Sequence, residues 1–233
     1  MFGREATNRP LAVVNAAKAL AEGYFPPSQD RLAEGLEALE GALETLGPAA
    51  AAAAAALCRE FESRDGKMHS LAQDHAALFV GPYQVIAPPY GSVYLEGGRQ
   101  VMGVSTLAVA ALYSEAGLDL APGLAEPPDH ISAELEFLAH WGERALVALA
   151  YGDEEAAAAC FRRQAGFFHG HLGAWAPEFT SRVENGAATG FYRELARCTR
   201  IFLEVLGEYF QDEDPAAREA FAAAPDRFDD PAA

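Results

Sequence analysis

Residues 127 to 138 read Pro-Pro-Asp-His-Ile-Ser-Ala-Glu-Leu-Glu-Phe-Leu, and this stretch predicts how the middle of the chain folds. Two prolines impose an extended backbone, and an acidic amphipathic helix runs on from Ile131. Asp129 stands where side chains cap the first turn of a helix, so we predict that it caps this one. His130 and Glu134 would then lie at the mouth of a helix rather than along a solvated face.

A second unusual stretch precedes it. Leu78-Phe79-Val80-Gly81-Pro82 is followed after a short gap by Ala87-Pro88-Pro89-Tyr90-Gly91-Ser92-Val93-Tyr94-Leu95. Loops are ordinarily polar, whereas this one carries apolar and aromatic groups. Such a loop either packs into a gap in the core or forms a binding surface for an apolar partner, and the sequence leaves both alternatives open.

The rest of the chain has a helical pattern, because apolar residues recur at steps of three and four outside residues 80 to 103. We predict an all-α protein: one helical-bundle domain over residues 1–211 with a long irregular central loop, then a loosely ordered acidic tail over residues 212–233. Residues 93–102 contain Gly97-Gly98 and could form a small hairpin. Three apolar stripes should face the core: Leu32, Leu36, Leu39, Leu43 and Leu46; Phe161, Ala165, Phe168, Leu172 and Trp175; and Phe191, Leu195, Cys198, Phe202, Val205 and Tyr209.

Composition narrows the classes of partner. The 233 residues include 34 acidic and 17 basic ones, a formal net charge of −17 that repels nucleic acid and anionic membrane surfaces. The same field favours a cationic partner, although solubility alone also accounts for it. No segment approaches the roughly 20 apolar residues of a membrane span, so we expect no stable membrane insertion. Cys58, Cys160 and Cys198 are too scattered for a disulfide framework, which favours a reducing, cytoplasmic location.

Catalytic motifs are weak. His130 and Glu134 are four residues apart, as are Glu136 and His140, but the two pairs lie on different sides of one helix and form only half a metal site each. No phosphate-binding loop and no nucleophile elbow occurs in the sequence. We predict no catalytic residue, no metal and no enzyme activity. The alternative is a helical metal-dependent hydrolase that uses His130 and nearby carboxylates.

In order, spacing and residue type, these stretches resemble the TorD/DmsD family of cytoplasmic chaperones for molybdenum-containing redox enzymes. The family shares a Leu-Phe-x-Gly-Pro run, a Pro-Pro-aromatic-x-Ser-Val-aromatic-Leu loop and a Pro-x-Asp-His-Ile segment, which here begins at Pro127, directly after Glu126. Weaker similarity continues through His171-Leu172 and Trp175 to Phe191-Tyr192. The resemblance covers roughly residues 70 to 206.

This resemblance implies a TorD-like bundle that binds the twin-arginine signal peptide and the body of a molybdopterin-dependent oxidoreductase. Such a chaperone assists cofactor insertion and holds back export until folding is complete. Its partners would be the leader peptide and the catalytic subunit of the molybdoenzyme, and the protein itself would be a monomer that can form a domain-swapped dimer. No cofactor is predicted, although contact with a guanine nucleotide or a molybdopterin precursor is a further implication of the resemblance.

The predicted client-binding residues combine the apolar loop with the acidic helix entry. Burial of one leucine side chain is worth about 1.5–3 kcal/mol and an exposed arginine–carboxylate pair about 0–1 kcal/mol, so apolar contacts should supply most of the affinity. His75 departs from the family, which often has an aromatic residue at that position. The predicted set is His75, Leu78, Phe79, Tyr83, Pro88, Pro89, Tyr90, Tyr94, Glu126, Asp129, His130 and Glu134.

Overall fold

The computed structural model describes residues 4–63, 68–81, 85–96, 101–118 and 126–213. Three predicted features therefore lie outside the described residues: Tyr83, the Gly97-Gly98 turn, and the acidic tail beyond Glu213.

The described residues form ten α-helices, which confirms the all-α prediction. A π-helical turn, Ala76–Val80, continues the fourth helix, and a second, Phe168–Leu172, joins the eighth to the ninth. The helices are α1 (Arg4–Gly23), α2 (Gln29–Leu46), α3 (Pro48–Glu62), α4 (Met68–His75), α5 (Gly91–Leu95), α6 (Val104–Glu115), α7 (Ile131–Ala150), α8 (Glu154–Phe167), α9 (Gly173–Gly186) and α10 (Gly190–Glu213).

Local sequence signals account for several of these boundaries. Gly47 ends α2 with a φ of 132°, a conformation that residues with a Cβ rarely adopt, and Pro48 opens α3. The Asp153 side chain caps α8 by accepting a hydrogen bond from the Ala156 amide at 3.0 Å. The start of α10 is held from a distance, because the buried Asp74 carboxylate of α4 accepts a bond from the Thr189 amide at 2.7 Å.

The core is one continuous hydrophobic cluster that runs from Ala12 in α1 to Phe210 in α10. Helix α1 packs against α2 and α7, α10 packs against α3 and α9, and α8 covers α7. The large side chains Tyr24, Trp175 and Phe179 are almost wholly buried. Short α5 rests on α9 and on α6. Most residues of the three predicted apolar stripes lie in this cluster, and the others are partly exposed.

The possible hairpin over residues 93–102 is wrong for its described part. Val93, Tyr94 and Leu95 belong to α5, and Val104 opens α6. The backbone of α5 is held by a buried carboxylate from another part of the chain, whereas an isolated hairpin would be only marginally stable. Tertiary contact therefore overrides the local strand propensity of Val93 and Tyr94.

Among the described helices, none is both long enough and apolar enough to cross a lipid bilayer.

Candidate functional site

Two segments that are distant in sequence, residues 87–92 and 126–134, meet in a short antiparallel bridge that we call the Tyr90–His130 junction. The Gly91 amide donates to the Asp129 carbonyl at 2.9 Å, and the Ile131 amide donates to the Pro89 carbonyl at 2.9 Å. The prolines on both segments keep the backbone extended and leave carbonyls free to accept. The structure thus brings together the two stretches that the sequence singles out.

Asp129 does not cap α7, so that prediction is wrong. Its fully buried side chain accepts a hydrogen bond from the Ser92 amide at 2.8 Å and so holds the first turn of α5. Helix α7 is capped by His130, whose Nδ1 accepts from the Ser132 amide at 3.1 Å. The reason is geometric: His130 is the last extended residue before the helix, with φ −70° and ψ 139°, which is the usual conformation of a cap.

His130 is buried between two aromatic rings. The Phe25 ring stacks on it with centroids 6.2 Å apart, and the Tyr90 ring meets it edge-on at 5.5 Å. Burial lowers the pKa of His130 to about 4, against the opposing effect of the Glu126 and Asp129 carboxylates. The imidazole is therefore neutral at neutral pH, as its role as a hydrogen-bond acceptor from Ser132 requires.

Glu134 lies behind the bridge as a buried acid. Its Oε2 accepts a hydrogen bond from Trp175 Nε1 at 3.1 Å. Burial raises the pKa of Glu134 well above its usual range, the bond from Trp175 opposes that shift, and the nearby Asp129 charge adds to it. A Cβ on Gly91 would lie 3.0 Å from Trp175 Nε1 and 3.3 Å from Glu134 Oε1. Glycine at this position therefore lets α5 lie close to both side chains.

Two tyrosines line the outer side of the junction and are only partly buried. The Tyr90 hydroxyl donates to Glu126 Oε2 at 2.7 Å. The Tyr94 hydroxyl donates to the Pro88 carbonyl at 2.9 Å, while its ring stacks on Trp175 with centroids 5.4 Å apart. Among the described members of the predicted set, Pro88, Tyr90, Tyr94 and Glu126 are the ones with partly exposed surface.

Three further predicted residues lie in the interior. Phe79 is 5% exposed, and its ring contacts those of Tyr24, His75 and Tyr192. His75 Nε2 is 3.2 Å from the Tyr24 carbonyl, and burial lowers the pKa of this histidine. Leu78 is fully buried, and its carbonyl accepts from the Ala87 amide at 2.9 Å, which ties the loop to the core.

Of the two alternatives for the loop, the structure thus shows it largely packed into the core: Ala87, Pro89 and Val93 are buried as well. The role of this residue set in client binding stays a prediction. Sequence reasoning missed Phe25 and Trp175 as structural partners of the junction. Trp175 lies in the weaker similarity that begins at His171-Leu172, which could have indicated it, whereas no sequence signal points to Phe25.

Nothing in the described part of the chain brings three or more His, Cys, Asp or Glu side chains together as ligands for a metal ion. His130 and Glu134, the pair considered for the hydrolase alternative, each make a structural hydrogen bond.

Comparison with known proteins identifies the family. Residues 29–181 match the family model described as the nitrate reductase delta subunit. A chaperone protein TorD from Shewanella loihica is 27% identical over 88% of this chain and 85% of its own length. The Tat proofreading chaperone DmsD of Salmonella typhi is 32% identical over 58% of this chain and 59% of its own length.

A structural match agrees. The crystal structure of an Archaeoglobus fulgidus protein assigned to redox enzyme maturation superimposes with a TM-score of 0.54 and 26% identity, over 82% of this chain and 93% of the other. The family match begins at residue 29, well before residue 70, at which the sequence resemblance begins. The named relatives are chaperones, which agrees with the prediction that this protein is not an enzyme. The chain belongs to the TorD/DmsD family of chaperones for the maturation of molybdenum-containing redox enzymes.

Proposed function

We propose that this protein binds the twin-arginine signal peptide and the body of a molybdoenzyme in the cytoplasm, and holds back its export until the cofactor is inserted. Family membership supports this proposal, and so does the name of the Salmonella relative, a Tat proofreading chaperone. The signal peptide would meet the chain at the Tyr90–His130 junction.

The observation that carries the proposal is the Tyr90–Glu126 pair on the outer side of the junction. Both side chains are partly exposed, and the Glu126 carboxylate is 2.7 Å from the Tyr90 hydroxyl. A guanidinium is the cation best matched to a carboxylate, because its N–H groups form a planar fork of donors. Two adjacent arginines present two such forks, and the acidic protein attracts them.

A second feature lies deeper in the junction. Asp129 Oδ1 and Ser92 Oγ are buried and have no hydrogen-bond partner among the described residues. Buried polar atoms of native proteins are rarely left unpaired. A donor group that entered the junction from the client would satisfy both atoms, and this entry would require the loop over residues 85–90 to move away from α7.

Calorimetric titration with a synthetic peptide tests the proposal. The probe carries two consecutive arginines followed by an alanine- and leucine-rich segment of about 15 residues, which forms about four helical turns. We expect Glu126→Gln to weaken binding by up to about fivefold, since a partly exposed ion pair contributes up to about 1 kcal/mol. Exposed Glu37 on α2 provides the matched control, and Glu37→Gln should bind normally.

Three outcomes distinguish the parts of this proposal. Failure of the unmodified protein to bind the peptide contradicts the proposed function. Equal affinity for a peptide with both arginines replaced by alanine contradicts recognition of the guanidinium groups. Equal affinities of the Glu126→Gln and Glu37→Gln variants would show that the arginines bind somewhere other than the junction.

We also propose that the protein is a monomer that can exchange helical halves with a second copy. The central segment, residues 80–103, separates helices α1–α4 from α6–α10 and provides the place for such an exchange. Light scattering should show a monomer with a minor, slowly interconverting dimer. An obligate dimer that persists at nanomolar concentration would contradict this.

A further inference from the structure

The first turn of helix α6 buries polar side chains and exposes apolar ones, whereas the next turns bury Val109 and Tyr113. Ser105 and Thr106 are buried on the inner side of the helix, at 1% and 2% exposure, whereas Val104 and Leu107 are 62% and 67% exposed. Val101 and Met102, immediately before the helix, are also exposed. Four of the nine large hydrophobic side chains exposed in the described part of the chain thus lie within seven consecutive residues, 101–107. Such clustering marks an interaction surface more often than a scattered exposed leucine does.

Specific contacts fix this orientation of α6. Glu96 Oε1 accepts hydrogen bonds from the Ser105 amide at 2.7 Å and from the Ser105 hydroxyl at 2.6 Å. At the other end of the helix, the Tyr113 hydroxyl donates to the Pro128 carbonyl at 2.9 Å, and the Tyr113 ring packs on Phe137 with centroids 4.5 Å apart. The inner side is therefore tied to α5, to the Tyr90–His130 junction and to α7, which leaves Val104 and Leu107 towards solvent.

The backbone at Met102 adds an independent sign of function. Its φ of 69° lies in the left-handed region, where a residue with a Cβ is disfavoured and glycine is preferred. The side chain is nevertheless a methionine that is 62% exposed. Unfavourable backbone conformations of this kind concentrate at functional sites. An adaptable methionine is also a common residue on surfaces that bind apolar helices.

The charges around α6 indicate what kind of partner fits. Exposed Glu96, which follows α5, lies beside the first turn of α6 through its bonds to Ser105, and exposed Glu115 is the last residue of α6. Partial burial alone would raise the pKa of Glu96, but the hydrogen bonds from Ser105 outweigh it and lower that pKa, so this group stays ionised at neutral pH. Between residues 85 and 118 the sequence holds one basic residue, Arg99, which lies outside the described residues.

We propose that the α6 face, formed by Val101, Met102, Val104 and Leu107, binds the apolar helical segment that follows the paired arginines of the signal peptide. This inference rests on the proposed function and assigns the apolar part of the peptide to a surface other than the aromatic loop. An apolar surface flanked by carboxylates complements a segment that is apolar and preceded by cations. A second copy of the chain fits less well, because it would bring the same carboxylates and the same net charge of −17 against themselves.

The decisive experiment compares two doubly substituted proteins in titrations with the arginine-plus-apolar peptide. Val104→Gln/Leu107→Gln alters the α6 face at two exposed positions, where substitutions scarcely change stability. Val147→Gln/Tyr151→Gln is the matched control, because these residues of α7 and its C-terminal turn are 57% and 86% exposed. We expect the α6 variant to lose at least about tenfold in affinity and the control to lose less than about twofold.

Met102→Gly separates binding from folding. Glycine suits the positive φ of this position, so the variant should unfold at the same temperature as the unmodified protein or at a higher one. We expect its affinity for the peptide to fall by about twofold to fivefold despite that stability. A matched peptide in which serine replaces each leucine should bind the unmodified protein and the Val104→Gln/Leu107→Gln variant equally weakly.

The outcomes separate this inference from the proposed function. If the unmodified protein does not bind the peptide, both fail. If Glu126→Gln weakens binding while Val104→Gln/Leu107→Gln binds normally, the proposed function stands and the assignment of the α6 face is overturned. Conversion of a dimer to a monomer by the α6 substitutions, measured by light scattering, would show that a second copy covers this face and would also overturn the inference.

Discussion

The Tyr90–His130 junction and the α6 face make opposite use of apolar side chains. The junction is largely irregular backbone, yet its Ala87 and Pro89 are buried and its backbone amides pair across the bridge. Helix α6 is regular, yet it turns Val104 and Leu107 to solvent and buries Ser105 and Thr106. An apolar loop is thus a better sign of core packing here than of a free binding surface, because its backbone polar groups find partners in the bridge.

The contrast matters for mutagenesis. Substitutions in the interior of the junction, or in the core behind it, should lower stability, whereas substitutions on the α6 face alter side chains that are exposed to solvent.

Phe79→Ala should be the most damaging single change. The Phe79 ring packs against the rings of Tyr24, His75 and Tyr192, and removing a buried phenylalanine ring typically lowers the free energy of unfolding by about 3–5 kcal/mol. Leu107→Ala on the α6 face should change it by less than about 0.5 kcal/mol. Urea denaturation of both variants measures the difference. Similar losses in the two variants would mean that Leu107 is also packed, and the contrast between the regions would fail.

Asp129→Ala should lower the free energy of unfolding by about 1–3 kcal/mol, because it leaves the Ser92 amide without a partner in a buried site. Asp129→Asn keeps an acceptor oxygen at the same place and should lose less. Thermal unfolding of the two variants checks this order. If alanine and asparagine were equally harmful, the Asp129 charge rather than the hydrogen bond to α5 would be what stabilises the junction.

Much of the fold could be predicted from the sequence. The stripe of Leu32, Leu36 and Leu39, bounded by Gly47-Pro48, predicts a helix that the structure places at Gln29–Leu46. A periodic apolar pattern indicates which side of a helix is buried, and burial of that side largely determines how the helix packs. The family motifs likewise predict that residues near Tyr90 and His130 act together, and the bridge joins them.

The errors have a common physical cause, which is long-range contact. Nothing local in the sequence shows that Asp129 accepts a hydrogen bond from Ser92, so the sequence pattern indicates the wrong residue of the Asp-His pair as the cap. The polarity of α6 could not be predicted either, because buried Ser105 is satisfied by Glu96, a residue from outside the helix. Period and propensity describe a helix in isolation, whereas these features depend on what packs against it.

The capping role of His130 predicts a loss of stability in acid. Burial lowers the pKa of His130 in the folded protein to about 4, below the ordinary value of 6.5, so the folded state binds fewer protons than the unfolded state between these values. The stabilisation is complete above about pH 6.5 and is lost as the pH falls towards 4. His171, whose pKa burial also lowers to about 4, adds a loss of the same sign.

His130→Asn tests that contribution, because asparagine also caps helices but does not titrate. Urea denaturation at pH 7.5 and pH 5 should show that the unmodified protein loses about 1–2 kcal/mol more than the variant between these conditions. The variant should keep the part of the decline that belongs to His171 and to His75, whose pKa burial also lowers. An identical decline in both proteins would mean that His130 is not buried in its neutral form.

The smallest expected effect belongs to the outer side of the junction. Tyr90→Phe removes the hydroxyl that donates to Glu126 but keeps the ring against His130, so it should lower the free energy of unfolding by about 0.5–1.5 kcal/mol. Tyr94→Phe is the matched control, because it removes a hydroxyl that donates to an uncharged carbonyl. The loss for Tyr90 should be at least as large, since hydrogen bonds to charged groups are stronger. A double-mutant cycle with Glu126→Gln isolates the contact. A coupling energy of zero would show that the two groups do not bond in solution, and Glu126 would then be free to meet an arginine.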